Sequence, residues 1–289
     1  MRNLKTTIKS FASAVGRLSV VSAIVDRPSV HGLLEKIPGS HILYGNGWDR
    51  LHPFDRRDGT DTSGYVPAEE LLANESFRDH AFPYAGSQPS VLRLALAALP
   101  PVDSCTFLDL GCGKGRALLV ASEFPFRDIC GVELSPPLAE IARRNAAIIA
   151  QRYPQRTAVR LAVGDASTFP LPAGDLVLFL YNPFGAELIA KVVAGVEAAL
   201  AADHRSVYIV YYNPVFGHCF DASPLLRRRF ARVLPYAAEE LGYGPDKDDA
   251  LVIWQGGAAP SPIAPADARI VVASSGTRAL LAAPQPTTS

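Results

Sequence analysis

The chain has 289 residues, 48% of them hydrophobic, with 28 basic side chains against 28 acidic ones and no net charge. That is enough apolar sequence to bury a sizeable core, in one large domain with extensions or in two small ones. A neutral balance argues against a broad nucleic-acid-binding face while leaving room for a local basic patch, and no uncharged apolar stretch is long enough to span a bilayer.

Residues 1–25 carry Arg2, Lys5, Lys9 and Arg17 and no acid, with Leu4, Ile8, Phe11, Val15, Leu18, Val21 and Val25 recurring at helical spacing. This reads as an amphipathic helix that packs on the domain or on a neighbouring subunit. Weak membrane-surface contact or self-association is the alternative for a basic helix of this kind. Arg17 interrupts the apolar run, and no small-x-small cleavage site makes it a signal peptide. Residues 26–65 are broken by Pro28, Pro38, Gly45, Gly47, Pro53, Gly59 and Gly64. Within them WDRLHPFDRRDGTDTSGY, residues 48–65, holds three aromatic rings among charges and hydroxyls, and a plain linker seldom does. It reads as a folded arm against the core; a cover for the active site and a purely structural brace both remain open.

Residues 66–78 suggest a short helix. In HAFPYAGSQPSVLRLALAALP, Ser87 or Ser90 can cap a helix that has Pro89 in its first turn and ends before Pro100. Next comes TFLDLGCGKGRALLVASEFPFRDICGVELSP. It is an apolar run ending in Asp109, a loop with Gly111, Gly113 and Gly115, a helical run, and a second apolar run ending in Glu133. Glycines let the chain turn sharply and let a ligand touch bare backbone. Glu133 stands 24 positions after Asp109, about where such units place an acid on a ribose diol. The dinucleotide fingerprint fails because Arg116 stands where its third glycine belongs. A phosphate-cradling loop fails because Lys114 is followed by Gly115 and not by Ser or Thr.

Residues 137–152 suggest a helix with Leu138, Ile141, Ala142 and Ile148 inward and Arg143 and Arg144 outward. The alternating run TAVRLAVGDAS ends in Gly164, Asp165 and Ala166, a strand with an acid at its tip; a turn cap is the plainer use of Asp165. LVLFLYNPF is the most apolar run, suited to a central parallel strand, and it ends in Asn182, Pro183 and Phe184. Proline fixes the turn, so that the Asn side chain and nearby carbonyl groups can be aimed outward; a simple strand end is the alternative. A further helix (residues 187–202) leads to SVYIVYYNP, with a second Asn-Pro at Asn213 and Tyr211 or Tyr212 as candidate substrate-side rings. Two final strands follow at 230–236 and 250–255, joined by a charged loop. From Gly256 onward Pro, Ala, Ser and Thr dominate, and ARIVVASS offers one edge strand. The division expected is an extension over 1–65, a domain over 66–257 and a tail over 258–289. Cys105, Cys112, Cys130 and Cys219 show no C-x-x-C pair and no spaced His partner. They read as reduced apolar residues of a cytoplasmic protein, with no metal.

Over residues 84–255 the DLGCGKG run with the later VEL resembles motif I and the following acidic motif of class I S-adenosylmethionine-dependent methyltransferases. The resemblance implies an α/β, Rossmann-like fold: a seven-stranded, mostly parallel sheet with helices on both faces. It implies S-adenosylmethionine as cofactor, with Gly111, Gly113 and Gly115 at its methionine part, Glu133 and the adjoining Leu134 at the ribose, and Asp165 with Ala166 at the adenine. Asp109 would orient the loop and favour the positively charged ligand. Tyr84 to Ser87 is similar to the lead-in of the non-SET lysine methylases, which puts Tyr84 and Ser87 at the cofactor. Asn182-Pro183-Phe184 resembles the Asn-Pro-Pro-aromatic element of amino-directed methyltransferases, and so implies catalysis on an amine, a protein lysine or another. The single proline departs from the pattern of enzymes that act on exocyclic base amines. The acceptor expected is therefore a protein or small amine and not nucleic acid. A cofactor-binding protein without transferase activity and a nucleotide-dependent oxidoreductase on a related fold are the competing readings.

Overall fold

The computed structural model describes residues 30, 47, 48, 50–71, 83–183, 185–203, 205–257, 271, 272, 278 and 279. The amphipathic segment at 1–25 and most of the tail lie outside them, as does Phe184.

The domain is built on a sheet ordered β5-β4-β3-β6-β7-β9-β8. Its strands are β3 (Thr106–Leu110), β4 (Asp128–Glu133), β5 (Val159–Val163), β6 (Leu176–Tyr181), β7 (Ser206–Tyr212), β8 (Leu226–Pro235) and β9 (Asp248–Gly257). Five run in parallel register, and β9 alone runs against its two neighbours. The expectation of a seven-stranded, mostly parallel sheet is met. Every residue of β3, and all of β6 up to Leu180, is buried, because parallel strands between two helical layers have no solvent face.

The two layers follow from alternation along the strands. Phe107, Val177, Phe179, Val210 and Ile253 pack with α3 (Pro89–Ala97), α4 (Arg116–Ala121) and α5 (Pro136–Arg152). Leu108, Leu110, Leu178, Ile209 and Trp254 pack with α6 (Ala186–Ala202) and α7 (Gly217–Asp221). The buried stripe of α5 is Leu138, Ala142, Asn145 and Ile149, with Ala139 beside it. The inward position is thus Ile149 and not Ile148, and the stripe includes a polar residue.

Neither serine caps α3 through its own side chain. The N-cap is Gln88, which makes no side-chain capping bond. Glu240 supplies the cap instead: its carboxylate accepts the Ser90 backbone N–H (2.9 Å) and the Ser90 hydroxyl. The arm contains a helix, α1 (Pro53–Asp58), and then β1 (Tyr65–Val66), which pairs antiparallel with β2 (Tyr84–Ala85). A boundary at residue 65 therefore falls inside a strand. The helical residues described after it, α2 (Ala68–Leu71), begin the segment expected at 66–78. Val271 and Val272 pair with Ala279 and Arg278 in a ribbon of their own, not on the edge of the large sheet. Among the described residues no helix is long and apolar enough to cross a membrane.

Candidate active site

The chain leaves β3, builds β4 and β5 on one side, and then crosses to β6 on the other side of β3. The loops after β3 and β6 therefore diverge at the carboxyl edge, and open parallel sheets take ligands at such a switch point. A cleft enclosing about 1000 Å³, its open mouth included, lies there. It collects Tyr84, Ser87, Asp109, Gly111, Gly113, Glu133, Leu134, Asp165, Ala166, Asn182 and Pro183, which is most of the expected site. Strand order fixes the sequence along it: Asp165 beyond β5, Glu133 at the tip of β4, the glycine loop after β3, then Asn182 and Pro183 after β6.

Glu133 is buried, and its two oxygens accept the Gly113 and Ser135 backbone N–H groups, each at 2.8 Å. A carboxylate has about four acceptor sites, so acceptor capacity remains for a diol. Burial pushes this carboxyl above its ordinary range, and the backbone donors partly counter that. Asp109 is 3% exposed and has no hydrogen-bond partner among the described residues. Burial first, and then the charge of Glu133, raises its carboxyl well above the carboxylate range. The expectation that Asp109 orients the loop finds no bond to support it: Gly111 and Cys112 donate to the Val132 carbonyl, and Gly113 to Glu133. A buried, unpartnered carboxylate on a cleft wall is instead a place for a cation. Asp165 combines the two uses weighed for it. Its Oδ1 accepts the Ser167 N–H and hydroxyl as a turn cap, while Oδ2 has no partner among the described residues. An unpartnered carboxylate, spare acceptors for a diol and a free oxygen for an amine hydrogen together fit S-adenosylmethionine.

Gly115 departs from expectation. It does not line the cleft; as the N-cap of α4, with φ of 86°, it lets α5 approach, since a Cβ there would stand 3.2 Å from that of Ala142. Tyr84 turns its ring to Gly113 and donates its hydroxyl to the Thr62 carbonyl at 2.7 Å. Asn182 sits in the left-handed region (φ 43°), and the Tyr211 hydroxyl donates to its Oδ1 at 3.4 Å. Tyr211 and Tyr212 are fully buried and wall no part of the cleft, whereas Tyr181 does line it. Asp249 was not foreseen. It accepts the Tyr212 hydroxyl (2.7 Å) and that of Tyr236 behind the wall, and burial raises its carboxyl to about 6. Arg116, noted in the sequence only as a misfit, is buried on the cleft wall.

Residues 107–203 match the family model described as a methyltransferase domain. A release factor glutamine methyltransferase of Vibrio cholerae is 44% identical over 101 residues, 32% of this chain and 31% of that protein. The aklanonic acid methyltransferase DauC of Streptomyces sp. (strain C5) is 32% identical over 144 residues, 48% of this chain and 61% of its own. The chain thus spans about a third and about three fifths of the lengths of these curated relatives. The solved structure of a putative methyltransferase, yhhF, from Escherichia coli covers 59% of this chain and 86% of its own, at 16% identity and a TM-score of 0.43. Residues 107–203 thus carry a methyltransferase domain.

Proposed function

We propose that the protein transfers a methyl group from S-adenosylmethionine to a nitrogen acceptor, a protein side chain or another amine. The observation that carries this reading is the meeting of two loops: the Asn182-Pro183 turn stands against the glycine loop, in the same cleft as Asp109, Glu133 and Asp165. When bound, the cofactor supplies a methyl group already activated by its sulfonium. The chain's own task is then alignment and the exclusion of water. The loop through Gly111 and Gly113 presents backbone to the methionine part beneath Pro183 and the Tyr84 ring, and Asp109 holds positive charge there. The spare lone pairs of Glu133 accept from the ribose diol, and Asp165 Oδ2 accepts from the adenine amine. Leu134 and Ala166 give the ring apolar walls. Beyond β6, Asn182 Oδ1 and neighbouring carbonyls accept the hydrogens of the incoming amine, and Tyr181 offers a ring face to its charge.

These groups at the acceptor end are hydrogen-bond acceptors and rings, which orient an amine. The name of the Vibrio cholerae relative gives its acceptor as a release factor glutamine, and that of the Streptomyces relative as aklanonic acid. A protein or small amine is the acceptor we favour over nucleic acid. A reducing compartment, the cytoplasm, suits four cysteines that are all unpaired.

The test is incubation of the chain with methyl-labelled S-adenosylmethionine and cell extract, followed by alkaline treatment of the product. Label released by alkali marks an ester and overturns the nitrogen assignment; alkali-stable label supports it when acid hydrolysis returns the label on a methylated amine, and label recovered on an ether or carbon overturns it. Cofactor binding with no transfer to any extract would favour a binding protein over an enzyme.

A further inference from the structure

We propose that Arg116 is a positioning residue: it docks the arm on the glycine loop and so holds the Tyr84–Ala85–Gly86–Ser87 wall at the loop end of the cleft. Arg116 is the first residue of α4 and is 4% exposed. A cation there opposes the helix dipole, and burying it is costly unless its donors are filled. They are filled from two segments. Nε donates to Thr62 Oγ1 at 2.7 Å and Nη2 to the Thr62 carbonyl at 2.8 Å. Nη1 donates to the Gly86 and Ser87 carbonyls at 3.3 and 3.4 Å. Behind Thr62 lies Asp55, also buried, 3.7 Å from Nη2. Asp55 accepts the Thr62 hydroxyl (2.7 Å), the Thr62 N–H (2.9 Å), the Thr60 hydroxyl (2.6 Å) and the Ser63 hydroxyl. The Thr62 hydroxyl is thus a bridge between cation and anion.

The guanidinium lies against Gly86 so closely that no side chain fits there. Its hydrogen bonds run to the arm and the wall segment, so it acts through them and not as a ligand for an anion in the cleft. Neighbouring bonds tie the same arm to the loop. Lys114 Nζ reaches Asp61 Oδ1 and the Ser63 carbonyl, and Asn145 exchanges bonds with Asp61. The planar fork of arginine suits this task where the point charge of lysine does not.

The inference rests on the reading that the cleft takes S-adenosylmethionine. It predicts a split between ligands, because the wall stands at the glycine loop while Glu133 and Asp165 hold the nucleoside. The full chain is titrated calorimetrically with S-adenosylhomocysteine and with 5′-methylthioadenosine, which lacks the amino-acid portion. Arg116→Lys should lose about tenfold or more in affinity for the first and stay within about twofold for the second. Thr62→Val, which keeps volume and carbonyl but not the bridging hydroxyl, should show the same split at about threefold, and it carries the test if Arg116→Lys does not fold. Methylguanidine should restore S-adenosylhomocysteine binding to Arg116→Ala. Equal losses for both ligands, or no loss for either, would overturn the positioning role. A wild-type chain that bound neither ligand would overturn the cofactor reading itself, and this inference with it.

Discussion

Pro183 covers Gly111 so closely that a Cβ on Gly111 would stand 2.8 Å from the Cβ of Pro183. The two residues belong to the loops that part at the switch point between β3 and β6, so their contact sets how near an acceptor bound at one loop can come to a cofactor bound at the other. Gly111 also has φ of 83°, where a side chain costs about 1–2 kcal/mol. Gly111→Ala should therefore lower the melting temperature and weaken S-adenosylhomocysteine binding together, as Pro183 is pushed aside. Gly164→Ala is the control, because nothing lies within 4 Å of a Cβ there. Wild-type affinity in Gly111→Ala would show that the contact is slack.

The raised carboxyl of Asp109 makes stability and cofactor affinity depend on pH with opposite signs. Its value in the folded chain is raised, so above the ordinary carboxylate value of about 3.9 the folded state keeps a proton that the unfolded chain has lost. Stability of the ligand-free protein then falls as pH rises through that window. Affinity for the cationic cofactor should rise over the same window, as the carboxylate becomes available to pair with it. Asp109→Asn should raise the melting temperature of the ligand-free protein at neutral pH, since it removes a buried carboxyl that folding must either protonate or leave charged without a partner, and should weaken S-adenosylmethionine binding. It should also flatten the pH slope of affinity without abolishing it, because Glu133 is shifted in the same direction. Calorimetric titrations from about pH 5 to about pH 8 read both effects. An unchanged slope in the variant would place the proton elsewhere.

Glu240 caps α3 from 150 positions away. Removing a side-chain cap costs about 1–2 kcal/mol, and here it also takes away the acceptor of the half-buried Ser90 hydroxyl. Glu240→Ala should lower the urea midpoint accordingly, while the exposed neighbour Glu239→Ala should leave it where it is. Equal midpoints for the two variants would mean that water replaces the cap.

The reach of the sequence can be judged from these residues. The strand, glycine loop, helix and strand unit was legible because its signals are local: apolar runs with a fixed periodicity, glycines at the turn, and an acid where each run stops. Asp109, Glu133, Asp165 and Asn182 could be placed because parallel strands bring their tips to one edge. What escaped depends on partners far along the chain. Glu240 at Ser90, and Asp55 and Thr62 at Arg116, leave no periodic trace, and buried charge in the arm looks the same on paper as solvated charge. Arg116 was visible only as the residue that broke a glycine pattern. Gly115 shows the opposite error: its φ suits a loop that touches a ligand, but its open side is filled by Ala142.

Asn182 and Asn213 provide a matched pair. Each ends a neighbouring parallel strand, each precedes a proline, and each is held in the left-handed region, at φ of 43° and 50°. Asn182 lines the cleft, and Asn213 is not among the residues lining it. A backbone role alone would make the two behave alike. Alanine should destabilise the chain by about 1 kcal/mol at either position, because it tolerates that conformation less well than Asn. Glycine should be neutral within about 0.5 kcal/mol, its freedom in the folded turn offset by the entropy it gains in the unfolded chain. Methyl transfer should separate what stability does not. Both Asn182 variants should lose turnover while binding S-adenosylhomocysteine as the parent does, and both Asn213 variants should keep it. Turnover preserved in Asn182→Gly would assign the turn a purely conformational part and take the amide out of acceptor binding.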